Sequence, residues 1–228
     1  HAAEILDIES RRLKSFSSSL TVDSKSLIEF ENDFPFTPTP DQISAFKSIK
    51  KDLSLIKPMN RVLCGDVGFG KTEVAMKAAF VSVSSNKQVI VITPSTILCD
   101  QHYDSFLKRY INFGVTVKKL NRFVSAKDKN NIINEFNLGN IDILISTHII
   151  FNNNINFMNV GLLIIDEEHK FGIKQKNYIK DKQENIHILF LSATPIPRTM
   201  NMVFSGLKDF SFLQTAPSNR LSIKSFLK

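Results

Sequence analysis

Three glycines in six residues, followed by a Lys-Thr pair, stand out in the stretch LCGDVGFGKTEV at 63–74. The spacing Gly65-x-x-x-x-Gly70-Lys71-Thr72 fits the phosphate-cradling pattern G-x-x-x-x-G-K-[ST]. Glycine at 65, 68 and 70 lets the backbone take positive φ, so that successive N–H groups turn inward around an anion. A helix starting near Lys71 adds the positive end of its dipole. Lys71 can reach the β- and γ-phosphates of a nucleotide, and the Thr72 hydroxyl can ligate Mg²⁺. The flanks supply the required order of strand, loop and helix. Arg61-Val62-Leu63-Cys64 reads as a short buried strand, and Glu73 opens the amphipathic run EVAMKAAFVSV.

A second chemical string is LLIIDEEH at 162–169, an apolar strand ending in carboxylates. In open α/β sheets, ligands bind at the carboxyl ends of strands. Asp166 would hold Mg²⁺ there, directly or through water, and Glu167 would orient or deprotonate an attacking water. These parts suit phosphoryl transfer, whose catalysis is mostly positioning and charge stabilisation. His169, three residues beyond Asp166, either couples such a site to a neighbouring domain or is a satisfied polar residue.

The elements that must position these groups alternate along the chain. Apolar, β-rich runs occur at 61–64, 88–93, 115–119, 142–146, 161–165 and 187–191, with helical segments such as 96–111 and 126–138 between them. Near-continuous apolar strands separated by helices imply a mostly parallel sheet covered on both faces. Upstream, residues 1–14 have a helical period, SFSSSLTVDSKS reads as a linker, and FPFTPTPDQ at 34–42 is extended. Asp41 is expected to cap the helix that follows. The expected division is a helix and linker over 1–30, belonging to a preceding module, and an α/β body over 31–228.

Composition sets outer bounds. The 228 residues are 43% hydrophobic, ample for a sizeable core. A net charge of +7 and a pI near 9.4 suit a nucleic-acid partner, although Lys-rich composition alone produces the same balance. No apolar run is long enough to span a bilayer, and no membrane role is expected. Cys64 and Cys99 each sit in an apolar segment and read as reduced core thiols, which favours a cytoplasmic setting. The first residue is His, so the sequence reads as a piece of something longer.

The order of motifs then becomes specific. Gln42 precedes the phosphate loop; TPSTILCDQH (93–102) follows the second strand, STHII (146–150) a later one, then DEEH and SATPIPRT (192–199). This order resembles the first RecA-like motor domain of superfamily 2 helicases and translocases. The wording of RVLCGDVGFGKTEVAMKAAF, LLIIDEEHKFG and LSATPIPRTMNMVFSGLKDFS is similar to the bacterial transcription-repair coupling factors over essentially the whole chain. RecG-type fork-remodelling helicases share part of it but usually read DEQH. A nucleotide-dependent DNA-binding module without motor role is the alternative from another class.

The resemblance implies an ATP-dependent, double-stranded-DNA translocase with Mg²⁺. In that family RNA polymerase and excision-repair proteins are engaged through other modules. It implies that Gln42 reads the adenine edge and that Phe34 or Phe36 packs on the ring. Thr93, Ser95, Thr96, Arg122, Thr147 and His148 would contact DNA phosphates, so binding would be sequence-independent. Ser192 and Thr194 would link nucleotide state to DNA grip, with Arg198 facing a second motor domain. That second domain, with its arginine finger, is not recognisable here. The 228 residues alone are therefore expected to bind nucleotide weakly and hydrolyse it very slowly.

Overall fold

The computed structural model describes residues 16–152, 154–182, 185–193 and 208–217. The helix expected over 1–14, and Thr194 and Arg198, lie outside them. Seven strands form one sheet: β1 Asn60–Gly65, β2 Gln88–Ile92, β3 Val117–Leu120, β4 Ile143–Ser146, β5 Val160–Asp166, β6 His187–Ser192 and β7 Asp209–Leu213. Their order is β3-β4-β2-β5-β6-β1-β7, and every pairing is parallel. The helices are α1 Ser24–Asn32, α2 Pro40–Leu53, α3 Lys71–Ser84, α4 Thr96–Tyr110, α5 Ala126–Asn137 and α6 Ile173–Lys182. The α/β reading with a parallel sheet holds.

The period of two along each strand divides the interior into two cores. Leu63, Val89, Val91, Ile145, Ile164 and Leu191 point to the face covered by α1–α4. Their neighbours Val62, Cys64, Ile90, Ile92, Ile165 and Phe190 point to the opposite face, where Ile133 and Phe136 of α5 and Ile179 of α6 pack. Strands buried on both sides must be apolar throughout, and β2 and β5 are buried at every position.

Packing is continuous across residue 30. Leu20, Leu27 and Phe30 lie in the first core, and Phe30 stacks on Phe80 of α3 with ring centroids 4.1 Å apart. Residues 17–21 are also tied to the body: the backbone N–H groups of Ser17 and Leu20 donate to the carbonyls of Ile56 and Leu53. His187 at the start of β6 completes this tie. Its Nδ1 accepts from the Met59 N–H and its Nε2 donates to the Ser18 carbonyl.

Several elements differ from the sequence reading. A helix, α1, stands within and beyond the segment read as a linker, started by Asp23, whose carboxylate accepts from the N–H groups of Lys25 and Ser26. The cap of α2 is Thr39, not Asp41. Thr39 and Gln42 form a reciprocal capping box with Pro40 in the first turn. Asp41 instead accepts from the backbone N–H groups of Gln214 and Thr215 just after β7, which lower its pKa.

Candidate functional site

β1, β5 and β6 are adjacent and parallel, so their carboxyl ends open on one side of the sheet. There the chain forms an open cleft of about 770 Å³, lined among others by Gly68, Gly70, Lys71, Thr72, His102, Asp166 and Glu167. Two strings separated by some ninety residues in sequence thus meet, as their chemistry requires. Gly68 and Gly70 have φ of 82° and 80°, a region that favours glycine. Gly70 is the N-terminal boundary of α3, and no side chain caps that helix. Its first N–H groups are left for an anion.

Lys71 folds back onto the loop, donating to the carbonyls of Gly65 and Asp66. Burial pulls its pKa below the usual lysine value, and the nearby carboxylates of Asp166, Glu167 and Asp66 oppose that pull. Gln42 closes the loop from the other side. Its Nε2 donates to the Phe69 carbonyl at 2.8 Å while its Oε1 accepts from the Thr39 N–H at 3.0 Å. Both halves of its amide are engaged inside the protein, so it acts here as a clamp between α2 and the loop. Phe34 and Phe36 pack edge to face, with Phe36 exposed and Phe34 half-buried.

The carboxylates differ in setting. Asp166, the last residue of β5, is 8% exposed, and its Oδ2 lies 2.9 Å from Nε2 of His102 on α4. Glu167 takes a left-handed backbone, φ 53° and ψ 54°, that costs a non-glycine residue about 1–3 kcal/mol. Its N–H is held by the Leu191 carbonyl at the end of β6. Its Oε2 meets His169 Nδ1 at 3.2 Å, so His169 touches the carboxylate. Glu168 pairs with Lys208 at 2.8 Å, and that ammonium also sits 3.7 Å from the centre of the Phe190 ring. Ser192 and Ala193 follow at the end of β6, and Ala193 lines the cleft.

A second, smaller cleft of about 380 Å³ lies over the ends of β2, β3 and β4. Pro94, Ser95, Thr96, Arg122, Thr147, His148 and Ile149 line it. Five of the six residues expected at DNA phosphates therefore converge. Ser95 caps α4 by accepting from the Leu98 N–H, which aims the helix start into the cleft. Asn121, buried, holds the Arg122 loop through the Phe123 N–H and the Asp100 carboxylate. Thr93 is the correction. It is fully buried, its hydroxyl donates to the Ser95 carbonyl and its N–H to the Ser146 carbonyl, so it braces the loop without reaching the surface.

Two partners escaped the sequence reading. His102 has a legible signal: it shares the inward stripe of α4 with Cys99, Phe106 and Tyr110, where a polar residue is out of place. Arg109 is the other. Buried itself, it binds Glu73 of α3 and the carbonyl of Phe30. Among the described residues no group of three or more His, Cys, Asp or Glu could hold a metal ion by itself. No described helix is long and apolar enough to cross a membrane.

The chain is 46% identical over 227 residues to the Transcription-repair-coupling factor of Escherichia coli (strain K12), and covers 20% of that protein. Identity is 44% over 227 residues to the protein of the same name from Borreliella burgdorferi, again 20% of its length. The chain thus spans about a fifth of these relatives. Among solved structures, that of RecG bound to a three-way DNA junction superposes with a TM-score of 0.85 over 95% of this chain and 29% of that one, at 32% identity. The helicase domain of Pyrococcus furiosus Hef superposes with a TM-score of 0.58 over 79% of this chain and 39% of that one; at 19% identity it shares the fold alone. The profile of the DEAD/DEAH box helicases matches residues 39–203, from the capping Thr39 past Ser192, and the chain belongs to that family.

Proposed function

We propose that this chain is the first ATP-binding motor domain of a double-stranded-DNA translocase of the transcription-repair coupling type. The observation that carries the reading is the pairing of two clefts on one sheet edge. One holds the glycine loop, Lys71 and the Asp166–Glu167 carboxylates; the other holds the start of α4 with Arg122 and Thr147. In the first, loop N–H groups and Lys71 bind the nucleotide phosphates, Gln42 reads adenine by exchanging its internal bonds, and Glu167 orients water. Mg²⁺ characteristically takes one or two carboxylates with substrate phosphates and waters. A single buried carboxylate steadied by a histidine, with Thr72 on the same cleft, fits that habit. When bound, the ion neutralises charge developing on the phosphates.

In the second cleft, N–H and hydroxyl groups at the start of α4, with Arg122, Thr147 and His148, hold DNA phosphates without reading bases. His169, Ser192, Thr194 and Arg198 carry nucleotide state toward the DNA and a second motor domain. Through other modules of its parent, the domain would serve to displace stalled RNA polymerase and bring in excision repair, in the cytoplasm. The likeness to the RecG structure favours one other reading, a fork-remodelling helicase domain. The test of the nucleotide site is titration calorimetry of Mg-ATP against the native chain and Lys71→Ala. Measurable binding by the native chain and severe loss in the variant support the assignment; unchanged affinity in the variant overturns it.

A further inference from the structure

Three polar residues recur every seven positions along α4: Ser95 at its cap, His102 and Arg109. Seven residues are nearly two turns, so the three share one stripe. Each meets a different part of the machinery. Ser95 lines the smaller cleft with Arg122 and Thr147. His102 bonds Asp166. Arg109 binds Glu73, in the turn of α3 that opens directly from the glycine loop.

His102 is the unusual member. It is 7% exposed, and its Nδ1 has no hydrogen-bond partner. Nε2 is taken up by Asp166 Oδ2, so Nδ1 is a ring nitrogen buried without a partner. Burying an unmet polar atom is unfavourable. A leucine would fill the stripe between Cys99 and Phe106 without that drawback, so packing does not account for a histidine.

We infer that His102 is a positioning residue that ties the orientation of the Asp166 carboxylate to the position of α4, and so to occupancy of the cleft at that helix's start. Only six residues separate Thr96 from His102, about 9 Å of helix at 1.5 Å per residue. A helix segment that short moves as a unit, so a phosphate drawing on the cap shifts the imidazole. The imidazole donates to a group that would hold Mg²⁺, and partners of metal-ligating groups typically change metal affinity by about 10–100-fold when removed. This inference rests on reading the two clefts as Mg-nucleotide and DNA-phosphate sites.

The test uses the full-length protein that carries this chain and a non-hydrolysable fluorescent ATP analogue. Binding is titrated against Mg²⁺, with and without random-sequence duplex DNA. In His102→Leu the half-saturating Mg²⁺ should rise about 10–100-fold. The duplex-induced change in nucleotide affinity, reciprocal by linkage, should shrink to less than about twofold. His102→Gln, whose amide can donate to the same carboxylate, should keep both properties near native. A leucine variant matching the native protein would overturn the inference, as would a native protein whose nucleotide affinity ignores duplex. A glutamine variant as impaired as the leucine one would remove the hydrogen bond from the account. A native protein binding no Mg-nucleotide would overturn the proposed function, and this inference with it.

Discussion

Arg109→Met removes the cation that anchors the helix following the glycine loop. In the native chain the guanidinium makes bonds of 3.1 and 3.2 Å to the two Glu73 oxygens, one of 2.6 Å to the Phe30 carbonyl, and a 3.3 Å contact with Asp33. The Glu73 and Arg109 side chains are 5% and 6% exposed, so neither charge can turn to water. Breaking a buried pair from one side costs about 3–5 kcal/mol. Asp33 is exposed enough that its share is small. Burial already holds the Glu73 pKa above its usual value against the pull of Arg109. With that pull gone the folded pKa rises further, so folding takes up a proton. The variant should therefore be least destabilised at low pH and lose stability as pH rises above about 4.5, the ordinary value. Glu73→Met/Arg109→Met removes both charges and leaves chiefly the Phe30 carbonyl unmet, about 1–2 kcal/mol. Urea denaturation of the 228-residue chain and its variants, repeated across pH, reads all three quantities. A single variant within about 1 kcal/mol of native, or a double variant as weak as the sum of both singles, would refute the reasoning.

Other changes probe the loop and the strap. Gln42→Ala removes two internal hydrogen bonds and should cost about 1–3 kcal/mol in denaturation, and should weaken ATP more than GTP in calorimetry; equal losses would leave Gln42 as a clamp only. At Gly70, a Cβ would stand 2.2 Å from Gln42 Nε2 on a backbone at φ +80°. Gly70→Ala should therefore cost about 1–2 kcal/mol and lower nucleotide affinity, and a variant with native melting and binding would contradict that. Burial lowers the His187 pKa below its usual 6.5, and protonating Nδ1 would oppose two donors, the imidazolium and the Met59 N–H. Its contribution is present above 6.5 and is lost as pH falls below that value toward the depressed folded pKa. Thermal melts from pH 7.5 to 5.5 should show a decline in the native chain that is shallower in His187→Gln; parallel slopes would contradict the assignment.

What the sequence made legible was what chemistry or burial writes locally. A glycine loop must be contiguous, and strands buried on both faces must be apolar throughout; hence 61–64, 88–93, 142–146 and 161–165 fell close to β1, β2, β4 and β5. β7, DFSFL, is an edge strand with only alternate residues buried, so its apolar signal is thin. In α1 only Leu27 and Phe30 are buried within a polar, serine-rich stretch, and α6 is mostly polar. The partnerships His102–Asp166 and Arg109–Glu73 span 64 and 36 residues. Their distance hid them, although a polar residue recurring every seventh position on an otherwise apolar stripe was visible. Thr93 was placed at DNA phosphates by the resemblance alone, whereas here it directly follows the fully buried strand β2 and braces the turn.

On the proposed function, one sheet edge joins an ATP site to a sequence-independent DNA site. The most direct measurement is steady-state ATP hydrolysis by the full-length protein, with and without random-sequence duplex, native beside Glu167→Gln. Duplexes of unrelated sequence should raise the native rate to similar extents, and Glu167→Gln should hydrolyse almost nothing in either condition. A native rate indifferent to duplex, or a Glu167→Gln rate equal to the native one, would contradict that function.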